Sequence, residues 1–368
     1  MKNGVVFFVL LVSALFVFPA REIDLDKPLA KDADRVLKLS EVFSIDGLDS
    51  DDYFLKAPRK PVWSFDGEFL LLADQDQLLR FDKNGVFQGN LYKKGEGPGE
   101  WGFTVSLLAD GNGFSLLSNS PHKLLTFDRN FNFNDEIKFS AAKHLMRLVR
   151  HLPGGGHLFS VKIDFGKIKS GIFYNDHPLQ RYDREGQVSE SALSFKQKVH
   201  NRVVRSEQGV QVAFEFLTPF SFALAPAAGC LLLASQDEYR LELVDLNEEK
   251  RVVSLVRPQY SRQRWQPDPQ RKRLEDAPKI DYFNDVQAVV ARGEEFWVLT
   301  SSLDPQKGVQ VDVISSSGAY LDRFWLPLPG LDYPRLAESL AVSADRIAWI
   351  HQDEDDNPVL KVYSYSLR

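Results

Sequence analysis

The sequence has 368 residues, of which 43% are hydrophobic and 26% are charged, so it carries enough apolar material for a buried core and is not a disordered chain. The formal net charge of −6 disfavours a surface built to bind nucleic acid, and we predict no such partner. The single cysteine, Cys230, cannot form an internal disulfide bond. Because it precedes three leucines, we predict that it is buried and a poor nucleophile.

The N-terminal segment has the pattern of an export signal. Lys2 is followed by an uncharged apolar run over residues 5–18, then by Pro19, Ala20 and a polar stretch. The run is shorter than the roughly 20 residues of a membrane-spanning helix, and no later segment approaches that length. We therefore predict a signal peptide over residues 1–20, a lead-in over 21–35, and an exported protein, periplasmic or extracellular, with no membrane span after signal removal. An uncleaved N-terminal anchor is the alternative.

From residue 36 onwards, a strand-turn-strand phrase recurs six times. Its fullest copy covers residues 69–87, with short runs rich in Leu and Phe separated by Asp, Asn and Gly. The steps between copies are unequal, which excludes a solenoid of fixed repeats and favours the blades of a propeller. The residues that end the second strand of each copy are Phe81, Phe127, Tyr182, Val244, Ile314 and Tyr363.

Each copy should be preceded by an additional first strand that faces the centre of the ring. The candidate segments are 61–65, 103–108, 145–151, 216–224, 285–290 and 339–342. Residues 141–150 could instead form a helix, as could residues 271–276.

The last copy reaches the end of the chain without a fourth strand, whereas residues 36–45 alternate like a strand and have no sheet. Placing residues 36–45 beside the last sheet closes the ring and covers an edge that would otherwise invite aggregation. We therefore predict an all-β fold, a six-bladed β-propeller of four-stranded antiparallel blades, as a single domain over residues 36–368.

Residues 91–101, Leu-Tyr-Lys-Lys-Gly-Glu-Gly-Pro-Gly-Glu-Trp, resemble the Gly-x-Gly-Pro-Gly-Glu signature of bacterial exported six-bladed β-propellers related to NHL-repeat proteins. Residues 239–246 and 253–260 are similar to the fourth blade of that family, and the resemblance extends over residues 36–368. The chain departs from the pattern at Phe131 and Glu248, where glycine is expected in a turn. The resemblance implies the fold and an exported location, and it assigns no catalytic residues.

The glycine-rich loop over residues 95–100 offers two interpretations. Its exposed backbone N–H groups could cradle a phosphate, but no helix and no Lys-Ser or Lys-Thr pair follows. We favour a rigid connection between the first two blades, in which Glu96 or Glu100 accepts hydrogen bonds from backbone donors of the next blade.

The sharpest local contrast in charge lies in residues 257–273, which contain five arginines and one lysine against a single aspartate. Arginines interleaved with aromatic rings recognise carboxylates, phosphates or sugars. We predict that this segment lies on the same face as the glycine-rich loop and contributes to ligand binding, while a solvated loop with ion pairs is the alternative. The predicted ligand-binding residues are Arg257, Tyr260, Arg262, Arg264 and Trp265, together with Glu96 and Glu100.

No metal site is predicted from local spacing. The seven histidines form no helix-type metal motif, and the acidic runs 49–52 and 353–357 lack the glycine and terminal glutamate of a calcium loop, so we interpret them as solvated turns. We predict no catalytic residue, no metal and no cofactor.

Three functions compete. The first is a monomeric, non-enzymatic binding or scaffold propeller that engages a protein, peptide or glycan through its loop face. The second is a hydrolase or lyase with a divalent ion in the central channel, whose ligands would come from several blades. The third is a structural part of a cell-envelope assembly.

Overall fold

The computed structural model describes residues 21–26, 34–47, 50–119, 121–139, 145–152, 156–161, 170–185, 187–206, 209–219, 221–265, 277–330 and 336–366. The predicted signal peptide and residues 271–276 lie outside these ranges. Within them, no helix is long and apolar enough to cross a membrane.

The described residues are almost entirely β-strand, with one short helix. In chain order the elements are β1 (Arg21–Asp24), β2 (Leu39–Ile45), β3 (Pro58–Trp63), β4 (Phe69–Asp74), β5 (Gln77–Asp82), β6 (Phe87–Asn90), β7 (Thr104–Asp110), β8 (Gly113–Asn119), β9 (His122–Asp128), β10 (Phe133–Lys138), β11 (Leu145–His151), β12 (His157–Val161), β13 (Gly171–Tyr182), β14 (Val188–Ser206), β15 (Gly209–Phe216), β16 (Ser221–Ala225), β17 (Cys230–Ala234), β18 (Arg240–Asp245), β19 (Lys250–Val256), β20 (Val286–Arg292), β21 (Glu295–Asp304), β22 (Gly308–Ser315), β23 (Tyr320–Leu326), α1 (Leu336–Ser339), β24 (Leu340–Val342), β25 (Arg346–Gln352) and β26 (Pro358–Tyr365).

In the described part of the chain these strands form six sheets. Sheet I contains β3–β6, sheet II β7–β10, sheet III β11–β15, sheet IV β16–β19 with β1, sheet V β20–β23, and sheet VI β24–β26 with β2. Neighbouring strands are antiparallel except β1, which runs parallel to β19. The fold is therefore all-β, with sheets built from consecutive hairpins as the repeated phrase predicted.

The second strand of a sheet is apolar on both of its faces. All five residues of β17 are buried, as are five of the six in β4, because neighbouring sheets cover these strands on both sides. A strand buried on both faces needs a continuous apolar run rather than an alternating one. Outer strands such as β10 have no buried residue and carry polar side chains.

The apolar side chains group into six clusters, each shared by two neighbouring sheets. The first strands also contact one another in succession: β3 with β7, β7 with β11, β16 with β20, β20 with β24, and β24 with β3. The guanidinium of Arg147 on β11 lies 4.4 Å from the ring of Phe222 on β16, which supplies the remaining contact.

The N-terminal segment crosses the last strands of three sheets. It pairs with β19 through β1, forms an isolated bridge from Val36 to Trp325 on β23, and then pairs with β26 through β2. Leu25, Leu37 and Ile45 anchor it in three of the apolar clusters. Residues 39–45 pair with β26 as predicted, whereas Val36, which was predicted to belong to the same strand, bridges to Trp325 of sheet V.

Two sheets have a fifth strand, whereas four strands were predicted for each. The lead-in contains β1, which extends sheet IV. In sheet III, β13 extends over residues 171–182, and β14 and β15 form a long hairpin. Phe216 ends β15 and does not begin a first strand, and β16 starts only at Ser221. These additions occupy the segments that depart from the repeated phrase.

The turn residues explain two departures from the glycine pattern. Phe131 adopts φ of 65°, so this position does take the left-handed conformation that favours glycine. In the turn after β18, Glu249 has φ of 48°, so the expected position is Glu249 and not Glu248. Cys230 is buried, as predicted, and burial raises the pKa of its thiol to about 11.

The pairing of β2 with β26 predicts a specific cross-link. Ser40 lies directly opposite Ser364, at a separation that a disulfide can span. The double variant Ser40→Cys/Ser364→Cys should form an intramolecular disulfide and raise the midpoint of thermal unfolding, because the bond joins distant parts of the chain. Oxidised and reduced samples are compared by intact mass and thiol titration.

The control is Ser40→Cys/Lys361→Cys, because Lys361 lies opposite Ser44, four residues along the strand. This control should stay reduced. Equal cross-linking of both variants, or of neither, would contradict the register.

Candidate functional site

The two loops singled out by the sequence lie at corresponding places. Residues 91–103 connect the last strand of sheet I to the first strand of sheet II, and residues 257–285 connect sheet IV to sheet V in the same way. Both connections leave the end of the sheets at which each first strand begins. We call this end of the molecule the loop face.

Beneath the second connection lies a buried carboxylate, that of Asp312 on β22, which is fully shielded from solvent. Its Oδ2 atom accepts hydrogen bonds from the Tyr239 hydroxyl at 2.6 Å and from Arg257 at 2.9 Å. Its Oδ1 atom accepts from the Tyr320 hydroxyl at 2.7 Å and from Arg323 Nε at 2.8 Å. Four charge-assisted bonds compensate the desolvation of the carboxylate, so this cluster joins sheets IV and V.

The carboxylate also fixes the protonation of its neighbours. Burial, and then the charge of Asp312, raise the pKa of Tyr239 and of Tyr320, so both hydroxyls remain donors. Arg257 and Arg323 are held by Asp312 with little of each side chain exposed, at 10% and 15%. Both guanidinium groups are therefore held in place before any ligand arrives.

The other predicted arginines are arranged differently. Arg262 donates to Asp285 Oδ1 at 2.9 Å and to the backbone oxygen of Asp237 at 2.9 Å, so it too is committed to an internal carboxylate. Burial raises the pKa of Asp285 although Arg262 opposes this. Arg264 is exposed and forms a backbone bridge to Tyr282.

The two predicted aromatic residues lie in different surroundings. The Tyr260 hydroxyl contacts Ser301 at 3.1 Å and Ser302 at 2.9 Å, which ties it to β21. The backbone N–H of Trp265 donates to Asp281 at 3.0 Å.

A cleft of about 350 Å³ opens on the loop face between this connection and sheet V. Of the predicted ligand residues it contains Arg257 and Tyr260, whereas Arg262, Arg264, Trp265, Glu96 and Glu100 lie outside its lining. No sequence pattern indicated that β23 would face this connection. The full lining is Arg257, Gln259, Tyr260, Ser261, Gln263, Ser302, Leu303, Asp304, Gln310, Arg323 and Trp325.

The glycine-rich loop is held by the sheet that follows it. Lys123 on β9 is completely buried and donates to the backbone oxygen of Gly97 at 2.8 Å and to Glu136 at 2.9 Å. Glu136 in turn accepts the N–H of Gly99 at 3.1 Å.

The direction of these bonds corrects the sequence interpretation of Glu96 and Glu100. Glu100 accepts the N–H of Gly97 within its own loop at 3.0 Å, and Glu96 is exposed. A side chain at Gly95 would collide with the Glu100 carboxylate. The loop is therefore a structural connection, and its carboxylate partner in the next sheet is Glu136.

A second and larger cleft, of about 520 Å³, lies at the loop face of sheet VI, beside Pro329 and Gly330 of the connection that arrives from sheet V. It includes the acidic turn that begins at Asp353, whose carboxylate accepts the N–H groups of Asp355 at 2.9 Å and Asn357 at 2.8 Å. This carboxylate is engaged by its own turn, as expected of a solvated turn. The remaining lining residues are Ser44, Asp46, His351, Gln352, Glu354, Val359 and Lys361.

Two histidines approach each other at the far end of sheets II and III. His151 Nδ1 and His157 Nδ1 are 2.8 Å apart, and His151 Nε2 lies 2.8 Å from the Ser115 hydroxyl. Burial lowers the pKa of His157 to about 4, so this ring is neutral at physiological pH. Across the described residues, no three His, Cys, Asp or Glu side chains are arranged as metal ligands.

No protein-family model and no curated protein matches the chain. Among solved structures, a Bacteroides fragilis NCTC 9343 protein inferred to be exported is similar, with 14% identity, a TM-score of 0.49, and coverage of 94% of this chain and 99% of that one. A gluconolactonase of Xanthomonas campestris has 12% identity and a TM-score of 0.49, with coverage of 91% and 92%.

The Asp312 cluster makes a testable prediction about stability. Replacing Asp312 with Ala removes the buried carboxylate that Arg257 and Arg323 share and leaves Arg257 only the more distant Asp26, so the free energy of unfolding should fall by about 3–5 kcal/mol. Urea denaturation measures this change.

The control is Asp322→Ala on the neighbouring strand, where Asp322 pairs with Arg35 and accepts the backbone N–H of Arg323, and both side chains of the ion pair are about 30% exposed. This change should cost less than about 1 kcal/mol. Similar losses for the two variants would contradict the structural role given to Asp312.

Proposed function

We propose that the six sheets are the blades of one closed six-bladed β-propeller. Each sheet shares an apolar cluster with both neighbours, and successive first strands are in contact, with the Arg147–Phe222 contact joining β11 to β16. The fourth strand of sheet VI comes from the opposite end of the described chain. The resemblance of residues 91–101 to the exported propellers related to NHL-repeat proteins supports the same arrangement.

The proposed location is outside the cytoplasm, either periplasmic or extracellular. The support is the N-terminal pattern, in which an apolar run ends in Pro19 and Ala20. Cleavage after Ala20 would leave a mature chain that begins with β1 at Arg21, and that strand is anchored on sheet IV.

The proposed activity is non-enzymatic binding of a polar ligand, a glycan or a peptide segment, in the cleft of the loop face. The observation that carries this proposal is the lining of the cleft, which combines an indole, three glutamine amides, several hydroxyls and two guanidinium groups. Aromatic faces and amides suit sugar rings and peptide groups, and fixed guanidinium groups suit carboxylates. The volume of about 350 Å³ is within the range of small-ligand sites.

The fixed positions of Arg257 and Arg323 also support ligand binding in the cleft. Arg257 and Arg323 reach the cleft but are oriented by Asp312 behind it, so ordering them on binding costs little conformational entropy. The N–H donors of both guanidinium groups are therefore oriented before a ligand binds.

The metal-dependent hydrolase or lyase is not favoured by the side chains near the centre. Its ion would have to be held by residues at the starts of the first strands. Arg59, Lys60 and Arg147 lie there, and the carboxylate that interacts with Lys60 and Arg147 is that of Glu338. Three cations repel a divalent metal, so we do not propose this activity.

The cleft predicts the outcome of a ligand screen. Purified protein is tested on oligosaccharide and peptide arrays, and each hit is measured again with Gln259→Ala, Gln263→Ala and Trp325→Ala. We expect a loss of at least about tenfold for each variant, equivalent to roughly 1.4 kcal/mol, because each removes a direct contact. Gln88→Ala, an exposed glutamine on β6, is the matched control and should leave binding unchanged. Ligands whose affinity is the same for all four variants would place the binding site elsewhere.

A further inference from the structure

Four charged side chains gather where the first strands begin, away from the cleft. Arg59 and Lys60 lie on β3, Arg147 on β11, and Glu338 in α1, immediately before β24. Lys60 interacts electrostatically with the other three, and Arg147 with Glu338. We call this group the central cationic cluster.

Lys60 is placed there by an irregular backbone. The pairing of β3 with β4 shifts between Arg59 and Val62, which is a β-bulge, and Lys60 itself has φ of 53°. A non-glycine residue in this conformation is strained by about 1 kcal/mol or more, and bulges commonly redirect a side chain towards a functional site. The redirected amine donates a hydrogen bond to the backbone oxygen of Val105 on β7.

The two arginines are held by aromatic rings rather than by carboxylates. The guanidinium carbon of Arg59 lies 4.3 Å from the ring centre of Phe103, and that of Arg147 lies 4.4 Å from the ring centre of Phe222. A guanidinium stacked on a ring keeps the N–H groups at its edge available for an anion. This differs from Arg257 and Arg262, whose N–H groups are bound to internal carboxylates.

The charges of the cluster are not paired within it. No ion pair within 4.0 Å joins Glu338 to any of the three cations, although all four are among the described residues. Arg59 and Arg147 both repel the Lys60 ammonium group, and the one carboxylate, that of Glu338, offsets only part of the positive charge.

We propose that the central cationic cluster is a second ligand site, which binds a small oxyanion group, a phosphate or a carboxylate, between Arg59, Lys60 and Arg147. Glu338 acts as an internal competitor, because its carboxylate attracts the same cations when no ligand is bound. The site is distinct from the cleft and does not depend on it. A purely structural cluster, by contrast, would have no measurable affinity for free anions.

The proposal predicts the pH dependence of binding. Burial lowers the pKa of Lys60 to about 8; Glu338 raises this pKa, while Arg59 and Arg147 lower it. Oxyanion binding needs the protonated amine, so the contribution of Lys60 to affinity should be full below this pH and fall as the pH rises through it. A bound anion favours the ammonium form and shifts the fall to higher pH.

The test is calorimetric titration of the purified protein with inorganic phosphate and, separately, with succinate at low salt. We expect saturable binding at one site for at least one of the two anions, and the preferred anion identifies the ligand class. Arg147→Gln should weaken binding at least about tenfold by removing a cation. Glu338→Gln should strengthen it several-fold, which a misfolded variant cannot do.

Two further variants complete the design. Lys60→Arg keeps the positive charge, so it should still bind but lose the fall in affinity between pH 7 and 9, since arginine stays protonated throughout this range. Lys250→Gln, at a lysine that is 61% exposed on β19, is the control and should leave affinity unchanged. No saturable binding of either anion, or equal affinity in wild type, Arg147→Gln and Glu338→Gln, would overturn the proposal while leaving the function proposed for the cleft untouched.

Discussion

The hydrogen bonds between β2 and β26 are the interaction on which the rest of the structure depends. Sheets of this kind contact only their neighbours, so an open series would expose one apolar face and one strand edge at each end. By pairing with β26, the N-terminal segment becomes the fourth strand of sheet VI and completes its apolar cluster with sheet I. The same segment first crosses sheets IV and V, where Leu25 and Leu37 are buried. One stretch of about 25 residues thus binds three consecutive sheets together.

Polar contacts between sheets then set the shape of the loop face. Asp312 is bonded to side chains from sheets IV and V, and Lys123 of sheet II binds the connection that arrives from sheet I. Each of these buried charges is compensated, so its neighbours cannot move without leaving a charge unpaired. Arg257 and Lys60 are held in different ways. Arg257 is fixed by a carboxylate beside the cleft, whereas Lys60 lies in the central cationic cluster and forms no ion pair with the carboxylate there.

Much of the sheet architecture follows from local chemistry. Apolar runs such as those of β4 and β17 are buried because neighbouring sheets cover both faces, and the orphan strand at residues 36–45 could be assigned from the missing partner of β26. The additional strand β1 and the long β14–β15 hairpin could not be predicted from the sequence. β1 pairs in parallel through its backbone, which leaves little trace in the side-chain pattern, and the β14–β15 hairpin lies in a segment that departs from the repeat.

The candidate sites were harder to predict from the sequence than the sheets. Asp312 gathers Tyr239 from 73 residues away, and the bulge that redirects Lys60 depends on register with β4. The arginine content of residues 257–273 indicated the loop face, but it did not show which guanidinium groups are bound to internal carboxylates.

Hydrogen exchange of the N-terminal strand tests the account most directly. If β2 is an integral part of sheet VI, the amides that it bonds to β26 open only when the whole sheet unfolds. Exchange measured by mass spectrometry should then show those amides of residues 39–45 to be as protected as the amides of β25, residues 346–352, with both lost at the same denaturant concentration. Exchange of residues 39–45 within seconds, while β25 stays protected, would show that the sheets hold together without the N-terminal strand and would contradict the account.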